Sequence, residues 1–138
     1  MHFALTGWQQ FFKHKLMKKA VYVVEDNPLF MLMLNYRFDE WTNVRLTHFT
    51  SAEECLRHVE SHRDHPALYV VDYQLPGMNG LDALKQIKKI DTDSRVAILS
   101  STLNREVTLA LLQAGAEEVI EKRDRYLEKL CRLLGEEV

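Results

Sequence analysis

The chain is short of every residue type that would staple or interrupt it. Only two cysteines occur among 138 residues, Cys55 and Cys131, far apart and without metal-ligand spacing. That pattern excludes a disulfide scaffold and a cysteine-held metal, and fits reduced thiols in a cytoplasmic setting. Three prolines and five glycines leave no low-complexity linker. No Gly-rich loop follows the first apolar run, where Asn27-Pro28 stand instead. This argues against a nucleotide-cradling or flavin-type enzyme. No apolar stretch is long enough to span a bilayer, and the N-terminus lacks the charge order of a signal peptide. Nor is there an excess of positive charge. The formal net charge is −2, which gives no electrostatic case for nucleic acid.

What remains is an ordinary globular composition, 46% hydrophobic and 28% charged, in a length that suits one domain. Valine-rich or otherwise apolar runs at Val21–Val24, Val44–Phe49, Leu68–Val71, Val96–Leu99 and Val119–Ile120 read as strands. Between and after them lie helical patterns: Leu29–Phe38, a segment opened by the capping box Ser51 to Glu54, Asn79 or Gly80 to Ile90, Asn104 to Ala114, and Asp124–Leu134. Five β units, each followed by a helix, predict an α/β fold. A doubly wound, five-stranded parallel sheet would carry helices on both faces.

In such a sheet, chemistry gathers at the carboxyl ends of the strands. Those ends carry Glu25-Asp26, Asp72, Ser100-Ser101 and Lys122. Asp72 is the most informative, because it closes a buried strand immediately before a Pro76-Gly77 turn. Taken singly, each residue has a plain explanation: a turn opener, a helix start at Pro28, a loop serine, a solvated lysine. Taken together, three carboxylates in one crevice repel one another unless a cation compensates. Hard oxygen donors suit Mg²⁺ (or Mn²⁺), and a divalent ion with Lys122 brings the site near neutrality. This is equipment for phosphoryl transfer to a carboxylate.

The ordered set Val-Val-Glu25-Asp26-Asn-Pro, Val-Val-Asp72-Tyr-Gln-Leu-Pro-Gly-Met-Asn-Gly, Leu-Ser100-Ser and Ala114-Gly-Ala-Glu-Glu-Val-Ile-Glu-Lys122 closely resembles the receiver domain of two-component response regulators. The resemblance runs from about Lys19 to the C-terminus. It implies the flavodoxin-like (βα)5 receiver fold over 19–138, with 1–18 as an N-terminal extension. It implies that Asp72 accepts a phosphoryl group from a sensor histidine kinase or a histidine phosphotransfer protein. Glu25, Asp26, Asp72 and the backbone carbonyl of Gln74 would bind the metal. Ser100 and Lys122 would hold the phosphoryl group, while Gln74 and Thr102 tune its removal by water.

The chain departs from the family at two positions. Val119 stands where a switch aromatic is usual, and Arg123 stands where a cis proline usually follows the lysine. A non-proline residue there is expected to be trans. Neither change removes an atom that phosphoryl transfer needs, but both bear on the conformational output.

Two segments exceed the family pattern. The first helix is apolar all round, from Leu29 through Phe38. It is expected either to be covered by other parts of the chain or to dock a partner, with Leu29, Phe30, Met33 and Leu34 as docking candidates. Residues 1–19 carry four lysines and no acid, with Trp8, Phe11, Phe12 and Leu16 at partial helical spacing. Such a segment can lie on a membrane or bind a partner, although packing against the domain or a disordered leader is the simpler expectation. No output domain is expected after the last helix. The sequence therefore points to a stand-alone receiver: a phosphorelay shuttle or phosphorylation-dependent binding protein, not a turnover enzyme, acting through a downstream protein. The alternative is a pseudo-receiver that binds partners constitutively.

Overall fold

A computed structural model describes residues 4–9, 18–41, 43–123 and 125–136. Five strands, β1 (Lys19–Val24), β2 (Val44–Phe49), β3 (Leu68–Asp72), β4 (Val96–Ser100) and β5 (Glu118–Glu121), form one parallel sheet. They alternate with helices α1 (Pro28–Trp41), α2 (Ala52–His62), α3 (Gly80–Ile90), α4 (Arg105–Gln113) and α5 (Tyr126–Leu133). The strand order is β2-β1-β3-β4-β5. The winding direction therefore reverses between β1 and β3, and a crevice opens there at their carboxyl ends.

Both faces of the sheet are buried, which explains the continuous apolar strands. Tyr22, Val24, Tyr69, Val71, Val96 and Ile98 face one core, where Ala83, Leu84 and Ile87 of α3 cover them. Val21, Val23, Leu68, Val70, Leu99 and Ile120 face the other, beneath Met31, Leu34 and Phe38 of α1 and Leu130 of α5. Helices α1 to α4 each start where a side chain satisfies free amides, whereas α5 has no side-chain cap. Asn27 accepts from Leu29 and Phe30 N–H at 3.0 and 3.2 Å. Asn79 caps α3 through Asp82 N–H, and Asn104 caps α4 through Glu106 and Val107 N–H. Ser51 accepts the Glu54 N–H as expected, but the Glu54 carboxylate returns to Thr50 rather than to Ser51.

The last helix begins later than the sequence pattern suggested, at Tyr126, because Arg125 adopts a left-handed conformation with φ 71°. Thr6 and Gln9 cap each other reciprocally at the start of a helical turn over residues 7–9, where Trp8 is 73% exposed. Phe11, Phe12, Lys13, Lys15 and Leu16 lie outside the described residues. Among those described, no helix is long and apolar enough to cross a membrane.

Candidate functional site: an acid cluster with one shared lysine

Three chain segments converge on the crevice. β1 runs straight into Glu25, whose N–H donates to Phe49 O at 3.0 Å and whose carbonyl accepts from His48 Nε2 at 2.7 Å. The carbonyl can only accept, so the proton of that bond sits on Nε2. The Glu25 carboxylate is then held from two sides. Asn27 N–H donates to Oε1 at 3.0 Å, and Lys122 Nζ donates to Oε2 at 2.6 Å. Glu25 is 1% exposed, whereas its neighbour Asp26 is exposed.

β3 delivers Asp72 at 5% exposure. The chain folds back sharply behind it, so that Gln74 N–H donates to Oδ1 at 3.2 Å. Gly80 permits this fold. A Cβ there would lie 2.6 Å from Tyr73 Cα and 2.9 Å from Asp72 O, too close for any side chain. β5 brings Lys122, whose Nζ also lies 3.2 Å from Asp72 Oδ2 and 4.5 Å from the centre of the Phe30 ring.

One oxygen from each of Glu25, Asp26 and Asp72 falls within 4.8 Å of the others. One lysine thus serves a cluster of three carboxylates. Burial alone would lower the Lys122 pKa, but its bond to Glu25 and the charge of Asp72 outweigh that and raise it. The ammonium stays charged. Burial pushes the Glu25 carboxyl above its ordinary range. Its bonds from Lys122 and Asn27 oppose this, and the Asp72 charge reinforces it. The excess of negative charge is the cluster's defining property. Hard oxygens at this separation fit a small divalent cation.

The structure brings together Glu25, Asp26, Asp72 and Lys122. Ser100 ends β4 beside them, since Asp72 pairs with Leu99. Its hydroxyl donates to Thr102 O at 2.5 Å and so closes the loop after β4. The Gln74 amide oxygen accepts from Ser101 at 2.8 Å, tying that loop to the one after β3. Val119 is half-buried against the core beside α4. The Lys122–Arg123 peptide is trans.

One expectation is corrected. Leu34 is 1% exposed and belongs to the core under α1, so it cannot dock a partner. Phe30 is half-buried, with its ring 5.4 Å from that of Tyr126. Leu32 and Tyr36 are exposed instead, alongside Leu29 and Met33. Two features of the site were not read from the sequence: His48, and the place of Phe30 beside Lys122, since Phe30 was expected only as a docking residue. His48 is two strands away from Asp72 and meets Glu25 only through the β1–β2 register, in which Val24 pairs with Phe49. The Phe30 ring under Lys122 follows from helix phase, which an all-apolar helix does not reveal.

The response regulator receiver domain family matches residues 21–132. The chain is 35% identical over 88 residues to the chemotaxis protein CheY of Bacillus subtilis, covering 61% of this chain and 73% of that protein. It is also 35% identical over 130 residues to a protein-glutamate methylesterase/protein-glutamine glutaminase of Paramagnetospirillum magneticum. That match covers 86% of this chain but only 36% of the longer protein. The solved signal receiver domain of a LuxO-type repressor from Vibrio parahaemolyticus superposes with a TM-score of 0.74 at 26% identity, over 86% of this chain and 92% of that one. The family match, the strand order and the acid cluster agree, and the chain belongs to the response regulator receiver domains of two-component signalling.

Proposed function

We propose that Asp72 is a phosphoacceptor, taking a phosphoryl group from a phosphohistidine of a kinase or phosphotransfer protein in the cytoplasm. The observation that carries this reading is the surplus of buried negative charge. Glu25 and Asp72 share one lysine at 2.6 and 3.2 Å, an arrangement of little use to the fold alone. An Asp72 carboxylate oxygen attacks phosphorus, a P–O bond forms, the P–N bond breaks, and the imidazole, already protonated on its other ring nitrogen, leaves neutral. Lys122, already 3.2 Å from Asp72, neutralises oxygens of the arriving group.

Glu25, Asp26, Asp72 and the Gln74 carbonyl would hold Mg²⁺, which neutralises phosphoryl charge when bound. Residues 19–138 form the receiver unit in this reading. Gln74 and Thr102 flank the site as the groups that position or exclude water. The Ser100 hydroxyl is the readout. To bond a phosphoryl oxygen it must leave the Thr102 carbonyl, and that opens the loop before α4. Val119 supplies no aromatic rotamer to this change, so the signal runs through the loop and α4. The output is altered binding of a downstream protein, as in a shuttle or a phosphorylation-dependent binding module.

Incubation with acetyl phosphate and Mg²⁺, read by intact mass, tests the proposal. Wild type gains one phosphoryl group and Asp72→Asn gains none. No gain in wild type, with Asp72→Asn binding partners as wild type does, would establish the constitutive pseudo-receiver instead.

A further inference from the structure

The three carboxylates of the cluster are not equally held. Asp72 is met by the Gln74 N–H and by Lys122, and Glu25 by the Asn27 N–H and by Lys122. Asp26 is exposed, and among the described residues no donor holds its carboxylate. One of its oxygens nevertheless lies within 4.8 Å of those of the other two acids. The backbone must therefore aim it.

Two peptide units flank Asp26. Each is planar, so a bond to one of its atoms restrains the whole unit. The unit after Asp26 is held by the Asn27 N–H, which donates to Glu25 Oε1 at 3.0 Å. The unit before it is held at the Glu25 carbonyl, which accepts from His48 Nε2 at 2.7 Å. The sheet does not supply that second bond. The Glu25 N–H still reaches Phe49 O at 3.0 Å, but β2 ends at Phe49 and Ser51 already caps α2. The His48 side chain takes the place of the missing strand donor. His48 is exposed on the edge strand, and among the described residues this is its only hydrogen bond. An imidazolium keeps the Nε2 proton, so the bond does not depend on the charge of the ring.

We propose that His48 is a positioning residue for Asp26. By pinning the Glu25–Asp26 peptide, it aims the Asp26 carboxylate at the divalent ion. This role rests on the phosphoacceptor reading of the cluster, because the ion serves that chemistry. It assigns a part in metal binding to a residue two strands away from Asp72.

Positioning and packing are separable by reach. The glutamine amide nitrogen stands as far from Cβ as histidine Nε2, and the asparagine amide nitrogen falls one bond short. The test is a Mn²⁺ titration of the full chain without phosphate donor, with free Mn²⁺ read by electron paramagnetic resonance. His48→Leu and His48→Asn each weaken Mn²⁺ binding about tenfold, and His48→Gln stays within about twofold of wild type. In an Asp26→Asn background His48→Leu costs nothing further, because the carboxylate it aims is gone. Acetyl phosphate labelling of His48→Leu reaches the wild-type rate once Mg²⁺ is raised about tenfold.

Wild-type Mn²⁺ affinity in both His48→Leu and His48→Asn overturns the proposal. So does His48→Gln binding as weakly as His48→Leu, which reduces the side chain to packing. A loss that adds in full to that of Asp26→Asn overturns it as well. Should His48→Leu fail to fold, the contrast between the glutamine and asparagine variants still decides. A wild-type chain that neither binds Mn²⁺ nor labels contradicts the Asp72 reading itself, a failure distinct from the other three.

Discussion

The two ends of the sheet treat charge in opposite ways. At the amino-terminal end, most polar groups are matched to partners that tie the fold together, with the buried Asn43 Oδ1 and Ser94 Oγ as exceptions. Tyr22 donates to Asp64 at 2.5 Å, Tyr69 donates to the buried Asp91 at 3.3 Å, and Arg95 bridges Glu117 and the Leu133 carbonyl at the end of α5. Lys19 and Lys88 donate to the Leu134 and Ser94 carbonyls. At the carboxyl end, a cluster of three carboxylates shares one lysine. The first arrangement lowers the free energy of the fold. The second works against it, and on the proposed function the difference separates residues kept for structure from residues kept for chemistry.

Substitutions at the two ends should therefore differ in sign as well as size. The largest effect is expected from Lys122→Ala. It leaves Glu25 buried beside Asp72 without a cation, and should cost about 3 kcal/mol at neutral pH in denaturant unfolding. Glu25 titrates above its ordinary range in the folded state, so its burial costs stability at neutral pH and not below the unfolded pKa. The Lys122→Ala deficit should shrink as pH falls toward 4.3, the unperturbed Glu value. Mg²⁺ should also recover part of it.

Gly80→Ala comes next. The added Cβ meets backbone at 2.6 and 2.9 Å, so β3 and α3 must separate, at about 2 kcal/mol. The paired contrast between the ends is Asp91→Ala against Asp72→Asn. The first strands the fully buried Tyr69 hydroxyl and should cost about 1–3 kcal/mol. The second removes one charge from a mutually repelling cluster and should stabilise by about 1 kcal/mol. If both substitutions destabilise equally, the two ends do not differ.

The smallest effect is expected from Tyr22→Phe. The Tyr22 hydroxyl bond is the main reason the Asp64 carboxyl sits below the usual carboxylate range. That depression contributes stability above the unfolded Asp pKa and is lost as pH falls through the folded one. In Tyr22→Phe the Asp64 titration, followed by NMR, should move up, and the acid-side loss of stability should become shallower.

The sequence made the carboxyl end more legible than the amino end. Glu25, Asp72 and Ser100 directly follow apolar runs and Asp26 and Lys122 lie one residue further on, so the strand pattern and the carboxyl-end rule for parallel sheets grouped them. The amino-end pairs join residues such as Tyr22 and Asp64, whose meeting depends on where the α2–β3 connection lies over the sheet. No local pattern encodes that. The central strands were legible because both faces are buried and the runs are continuous, and the edge strand β2 because Val44–Phe49 alternates. Helix α1 was less so. With apolar residues on every side, nothing in the sequence separated the buried Leu34 from the exposed Leu32. The late start of α5 turns on the left-handed Arg125, a conformation that residue type does not announce.

The central claim is that the carboxyl-end acids are held for phosphoryl chemistry at Asp72. The most direct measurement is ³¹P NMR of the protein treated with phosphoramidate, which presents the same P–N bond as phosphohistidine. The account predicts an acyl phosphate resonance that requires Mg²⁺, disappears with EDTA and is absent from Asp72→Asn. A resonance that survives Asp72→Asn, or no resonance at all with Mg²⁺ saturating, would contradict it.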